Sequence, residues 1–264
     1  GESYFNLNDN LKAIEEYTRF LEKTEDPELI VTAYDRLASI YFKQQRYEEA
    51  IMQWENAVKS SSDREFNAAI VLKIGHALFK NNQYDEALKR LNPLLSARID
   101  HKKKSEIRLL IGRIYQIQKD HKKALTTFNA IPSDYAEIYP FHDMYYFRAL
   151  SYIETDRISL AKSDLELFYI IGKKSEFYSD GMYELGKIIL NSAKPEEGIE
   201  ILEKVWEGQE KLDLAVQSAL LMAEFFIEKD SARSIKYLEK FKMYENEELR
   251  KLIIITISKA YIKN

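Results

Sequence analysis

Apolar and polar positions alternate along this chain with helical periodicity, and one stretch carries the pattern most plainly. In residues 37–58, LASIYFKQQRYEEAIMQWENAV, the residues Leu37, Ala38 and Tyr41 share a face by their three- and four-residue spacing. After the polar bend KQQR a second face follows with Ala50, Ile51, Trp54 and Ala57. The spacing predicts two amphipathic helices folded back on each other. Small residues at Ala38 and Ala50 let the helices approach, while Leu37, Tyr41, Tyr47 and Trp54 fill the remaining space. An isolated pair of this kind leaves apolar faces uncovered, so the pattern demands stacked neighbours.

The same small slot recurs at Gly1, Ala38, Gly75, Gly112, Ala149, Gly186 and Ala223, each 37 residues after the last, and once more at Ser258 after 35. Three places on stands a large apolar residue each time: Tyr4, Tyr41, Leu78, Tyr115, Tyr152, Ile189, Phe226 and Tyr261. The second helix repeats Ala13, Ala50, Ala87, Ala124, Ala161, Gly198 and Ser234, with a bulky residue four places later from Tyr17 and Trp54 through to Leu238. Glycine within a helix costs about 1 kcal/mol relative to alanine. Five of the eight glycines nevertheless fall in these two slots, which points to close helix crossings.

The order small-x-x-aromatic, polar turn, small-x-x-x-aromatic, as in LASIYFKQQRYEEAIMQWENAV and IGHALFKNNQYDEALKRL, resembles the tetratricopeptide repeat. That resemblance implies an all-α, right-handed superhelical solenoid of antiparallel helix pairs, read here as a single repeat domain over residues 1–264. The usual period of that family is 34, so the longer interval suggests a longer second helix or inter-repeat loop. Arg108 and Arg148 depart from the expected apolar residues, and their stems are expected to snorkel toward solvent. Pro93 predicts a kink or early helix end, and Asp156 and Ser179–Asp180 read as helix starts. The pattern opens inside a first helix, and LRKLIIITISKAYIKN supplies a first helix without its partner. Leu252, Ile253, Ile254, Ile255 and Ile257 are therefore expected to be only partly covered. The leading reading of these ends is a section of a longer repeat protein; end-to-end self-association through the open C-terminal helix is the second.

Composition narrows the chemistry. With 39 basic and 43 acidic side chains the formal charge is -4, so no concentrated basic excess calls for nucleic acid. No apolar run is long enough to span a bilayer, the isoleucine-rich stretch at residues 252–257 included. There are no cysteines, and His76, His101, His121 and His142 form no closely spaced pair, so neither a metal nor another cofactor is expected. Nucleotide-binding and serine-hydrolase motifs are absent, and Glu48–Glu49 and Glu196–Glu197 suit helix N-termini better than acid–base catalysis. An enzyme is not expected.

In proteins that this chain resembles, first helices line a concave groove for an extended peptide or helix. That implication selects Phe42, Lys43, His76, Phe79, Lys80, Arg113, Tyr146, Tyr183 and Lys187 as candidate partner-binding residues. Aromatics flanked by cations suit a protein or peptide ligand that is acidic and carries apolar anchors. The carboxylate clamp of chaperone-binding family members has no counterpart, because its places are held by Asp35, Ser39, Leu72, Lys73 and His76. A scaffold in a larger bacterial assembly, such as an envelope or motility complex, is favoured over peptide sensing. A lysine-, isoleucine- and tyrosine-rich composition leans toward a bacterial source, cytoplasmic or periplasmic.

Overall fold

The computed structural model describes residues 10–136, 138, 140–208 and 211–263. Gly1, Tyr4 and Phe5 lie outside them. The regular structure of the described residues is all helical, without strands, and the chain divides into two compact units, residues 1–135 and 136–264.

The first described helix of unit 1 is α1 (Asn10–Leu21), followed by three helix pairs: α2 (Pro27–Lys43) with α3 (Tyr47–Ser60), α4 (Arg64–Lys80) with α5 (Tyr84–Ser96), and α6 (His101–Ile117) with α7 (His121–Asn129). The first helices hold 17 residues each and the second helices 14, 13 and 9, so the added length lies in the first helices rather than the second. Asp26, Asp63 and Asp100 start those long helices. Their carboxylates accept backbone amides of the first turn, from Glu28 and Leu29, from Glu65 and Phe66, and from Lys103. Pro93 sits in the last turn of α5, which runs on to Ser96. A short α8 (Ser133–Ala136) follows.

Each pair in unit 1 turns the same way. Gln45, Asn82 and Lys119 take left-handed φ values of 61°, 59° and 61°. The next amide donates to a carbonyl five residues back, from Arg46 to Tyr41 at 2.9 Å, Gln83 to Leu78 at 2.8 Å and Asp120 to Tyr115 at 2.8 Å. This is a Schellman ending, and it closes the orphan carbonyls of the first helix.

Unit 2 holds α9 (Asp143–Glu154) with α10 (Ile158–Ile171), α11 (Tyr178–Leu190) with α12 (Pro195–Glu207), α13 (Leu212–Phe226) with α14 (Ser231–Glu239), and then α15 (Glu247–Lys263). Asp156 does not start a helix. It takes the left-handed turn position, φ 55°, with Arg157 donating to Tyr152 at 2.8 Å. Ser179 and Asp180 lie inside the first turn of α11, which begins at Tyr178.

The small slots are filled as the spacing demands. A Cβ on Gly75 would meet Leu91 at 2.7 Å, and one on Gly186 would meet Leu202 at 2.7 Å. At Gly198 the obstacle is backbone, the Leu190 amide nitrogen at 2.5 Å. Arg148 does not snorkel. Its guanidinium makes a two-pronged contact to the buried Asp164, Nε to Oδ2 and Nη2 to Oδ1, both at 2.7 Å. Burial lifts the Asp164 carboxyl above its ordinary pKa, and the guanidinium opposes that rise. In α15 Ile253 and Ile257 are buried, so only Leu252, Ile254 and Ile255 of the expected apolar set remain half-exposed.

Candidate partner-binding face

In unit 1, the residue after the small slot and the residues four and five places beyond the slot follow one line along the first helices. They read Ser39, Phe42 and Lys43 on α2; His76, Phe79 and Lys80 on α4; and Arg113 and Gln116 on α6. Lys43, His76 and Lys80 are exposed, whereas Phe42, Phe79 and Arg113 are half-buried. Lys43 and Lys80 close their helices, where the carbonyl ends favour a cation.

The aromatics are partly engaged. Phe42 meets the edge of Tyr47 at 5.5 Å and lies 5.8 Å from Trp54, while Phe79 meets Tyr84 at 5.8 Å. Arg113 reaches across from α6 to place its guanidinium 5.1 Å from the centre of the Phe79 ring. His76, Phe79, Lys80 and Arg113 thus come together. His76 is open to solvent, yet surrounding protein desolvates it, and with the Arg113 and Lys80 charges this lowers its pKa from 6.5 to about 4. A side chain open on one side and walled on the others has both properties. At neutral pH His76 is therefore uncharged between two cations.

One register earlier, Asp35 is neutralised internally. It accepts the Trp54 indole N–H at 2.7 Å and the Lys73 ammonium at 2.7 and 2.8 Å, joining α2, α3 and α4. Sequence reasoning placed Asp35 and Lys73 at the clamp positions without pairing them. Their separation of 38 residues, one repeat plus one residue, was the available signal.

The candidates in unit 2 do not form a matching face. Tyr146 is buried, only 9% exposed, and is a packing residue rather than a partner contact. It stacks on Phe177 at 5.6 Å and on Phe168 at 5.7 Å, because an aromatic-rich α9 supplies bulk to the core here. Tyr183 is half-buried beneath Lys187, whose ammonium is 5.5 Å from the ring centre and 2.7 Å from Glu184. That lysine is already neutralised. Unit 2 also contains a cavity of about 640 Å³ lined by Trp206, Leu212, Phe241 and Tyr244, which the repeat pattern did not announce. Its Lys240 donates to the Trp206 carbonyl at 3.1 Å and covers the indole at 4.1 Å.

Among the described residues no cluster of three or more histidine, aspartate or glutamate side chains is arranged to hold a metal ion, and no helix is long and apolar enough to cross a membrane. Against known families, the tetratricopeptide-repeat model matches residues 1–65 and 72–143. The chain belongs to the tetratricopeptide-repeat family. No curated protein matches in sequence. Among solved structures, the C-terminal part of a tetratricopeptide-repeat protein from Cytophaga hutchinsonii is similar at a TM-score of 0.71 and 15% identity, covering 95% of this chain and 97% of that one. The apo form of RapI is similar at 0.65 and 14% identity, covering 99% and 96%. YrrB, described as a tetratricopeptide-repeat protein with an unusual peptide-binding site, is similar at 0.53 and 16% identity, covering 78% and 98%. At such identities the likeness is one of fold. Tetratricopeptide-repeat proteins generally bind protein or peptide partners without catalysing reactions.

Proposed function

We propose that this chain is a non-catalytic interaction scaffold whose first-helix face in unit 1 binds an acidic, apolar-anchored segment of a protein partner. The observation that supports this reading is the meeting of Lys80, Arg113 and an uncharged His76 around the half-exposed Phe79. Two cations beside an aromatic surface suit a carboxylate next to a leucine or aromatic residue, and the neutral imidazole can donate or accept a hydrogen bond without adding charge repulsion. Phe42 and Lys43 extend the same chemistry by one repeat, which fits an extended ligand. A place in a larger bacterial assembly is the preferred setting, with peptide sensing as the alternative. Short free peptides bound tightly would favour sensing, and large structural partners would favour assembly.

A peptide array of acidic sequences carrying leucine or aromatic residues, probed with the native chain and with Lys43→Glu/Lys80→Glu/Arg113→Glu combined, tests the proposal. The native chain is expected to retain a subset of acidic peptides that the folded triple variant loses. Identical patterns for the two chains, or no acidic preference, would contradict it.

A further inference from the structure

The second helices share an outer line formed by the residue before the small slot and those two, six and nine places after it, at steps of three, four and three. In every second helix of the described residues except α10 at least one of these places is charged, and in α12 all four are: Glu197, Glu200, Lys204 and Glu207. In α10 none is. Its line reads Leu160, Ser163, Leu167 and Ile170, and the three apolar side chains are 49%, 44% and 65% exposed. The inner face of α10 is already filled by Ala161, Leu165 and Phe168, so the outer apolar residues are surplus to the core of unit 2. Apolar residues at heptad spacing on the outside of a helix form a seam on which another helix packs.

The charges beside the seam select its occupant. Next to α10 lies α12, tied to it where the Lys204 ammonium donates to the Tyr169 hydroxyl at 2.7 Å. Glu196, Glu197 and Glu200 are exposed on α12, and Glu166 is exposed on the side of α10 that carries Tyr169. Cations here are few. Lys162 reaches Glu166 at 3.5 Å and Lys194 reaches Glu197 at 3.0 Å, both surface pairs of little strength, while Lys173 and Lys174 come after the end of α10. We propose that the outer face of α10 takes an amphipathic helix of a protein partner, with leucine- or isoleucine-like residues on the seam and lysine or arginine beside them over the α12 glutamates. An anionic membrane surface would meet the same glutamates and be repelled. A second copy of α10 brings a single lysine, Lys162, already paired with Glu166. This surface is separate from the unit 1 face and asks for a partner segment of the opposite charge.

Fluorescence anisotropy of the full chain with two synthetic helical peptides tests it, with circular dichroism reporting that each variant remains folded. Both peptides carry leucines at heptad spacing, flanked by lysines in one and by glutamines in the other. The native chain is expected to bind the lysine peptide about tenfold more tightly. Leu167→Ser/Ile170→Ser, which changes only exposed side chains, should weaken both peptides by about tenfold or more. Glu196→Lys/Glu200→Lys should abolish the preference and leave the glutamine peptide unchanged. The unit 1 variant Lys43→Glu/Lys80→Glu/Arg113→Glu should still bind the lysine peptide, so the two surfaces fail independently. Lysine-peptide binding that survives Leu167→Ser/Ile170→Ser, or no binding of either peptide, would overturn the proposal. So would a dimer in sedimentation velocity, or binding to phosphatidylserine vesicles, that the same double variant abolishes, since the seam would then belong to a second copy or to a membrane.

Discussion

In unit 1 the cations along the first helices stand at or near the surface, where Lys43, Lys80 and Arg113 follow one another from repeat to repeat. In unit 2 the corresponding chemistry is turned inward: Arg148 is locked onto Asp164, Lys187 onto Glu184, and Tyr146 is stacked into the core. Both units use the same helix-pair arithmetic. What differs is how these side chains are held: the named unit 2 groups are tied into ion pairs or into the core, while Lys43 and Lys80 stay exposed and Arg113 lies over the half-buried Phe79 ring. The more exposed set is the better placed to meet a partner.

The comparison breaks most sharply at the buried pair. Arg148→Ala strands the Asp164 carboxylate in unit 2, at an expected cost of about 3–5 kcal/mol, whereas Lys73→Ala, at the half-exposed Asp35 pair of unit 1, should cost about 1 kcal/mol or less. Urea denaturation of both variants measures the contrast, and equal losses would remove it. Smaller but in the same direction is the effect of an added methyl group. Gly198→Ala in unit 2 presses on backbone and should cost about 1–3 kcal/mol, while Gly75→Ala in unit 1 presses on the buried Leu91 side chain and gains helix propensity, so it should cost less.

A pH series sharpens the picture of unit 1. The His76 pKa is depressed to about 4 in the folded chain from its ordinary 6.5, so between those values the unfolded chain holds the extra proton. The stability associated with neutral His76 is present above 6.5 and declines as pH falls toward 4. His76→Gln should therefore narrow the loss of stability on acidification, read as a smaller shift in urea midpoint from pH 7 to pH 4.5. The slightest effect belongs to the turns. Lys119 holds a left-handed φ of 61°, a conformation glycine adopts without penalty, so Lys119→Gly should raise stability by up to about 1 kcal/mol in thermal melts.

Helix pairing was legible because every copy restates it: a small residue, a large one three or four places on, and a polar bend between. Helix starts were less visible. Asp26, Asp63 and Asp100 stand one period apart, but each sits in a polar stretch that also reads as a loop, and the first helices begin earlier than their apolar faces do. The candidate site was legible only where its residues stayed outside. His76, Phe79, Lys80 and Arg113 follow from register alone, since neighbouring first helices bring equivalent positions together. Tyr146 stands in a different register, three residues before its small slot rather than one to five after it, and Phe168 and Phe177 close over it from parts of unit 2 that the repeat does not specify. Arg148 misleads for a related reason. Whether an arginine snorkels or pairs inward depends on a counter-charge on the facing helix, and Asp164 lies 16 residues away.

The central claim is that the first-helix face of unit 1 is the binding surface, and backbone amide chemical-shift mapping with an acidic, leucine-bearing peptide tests it most directly. The account predicts perturbations concentrated around Ser39, Phe42, His76, Phe79 and Arg113, diminishing as salt is added. Perturbations centred on α9 and α11, or on the Trp206–Tyr244 cavity, with the unit 1 residues unmoved, would contradict it.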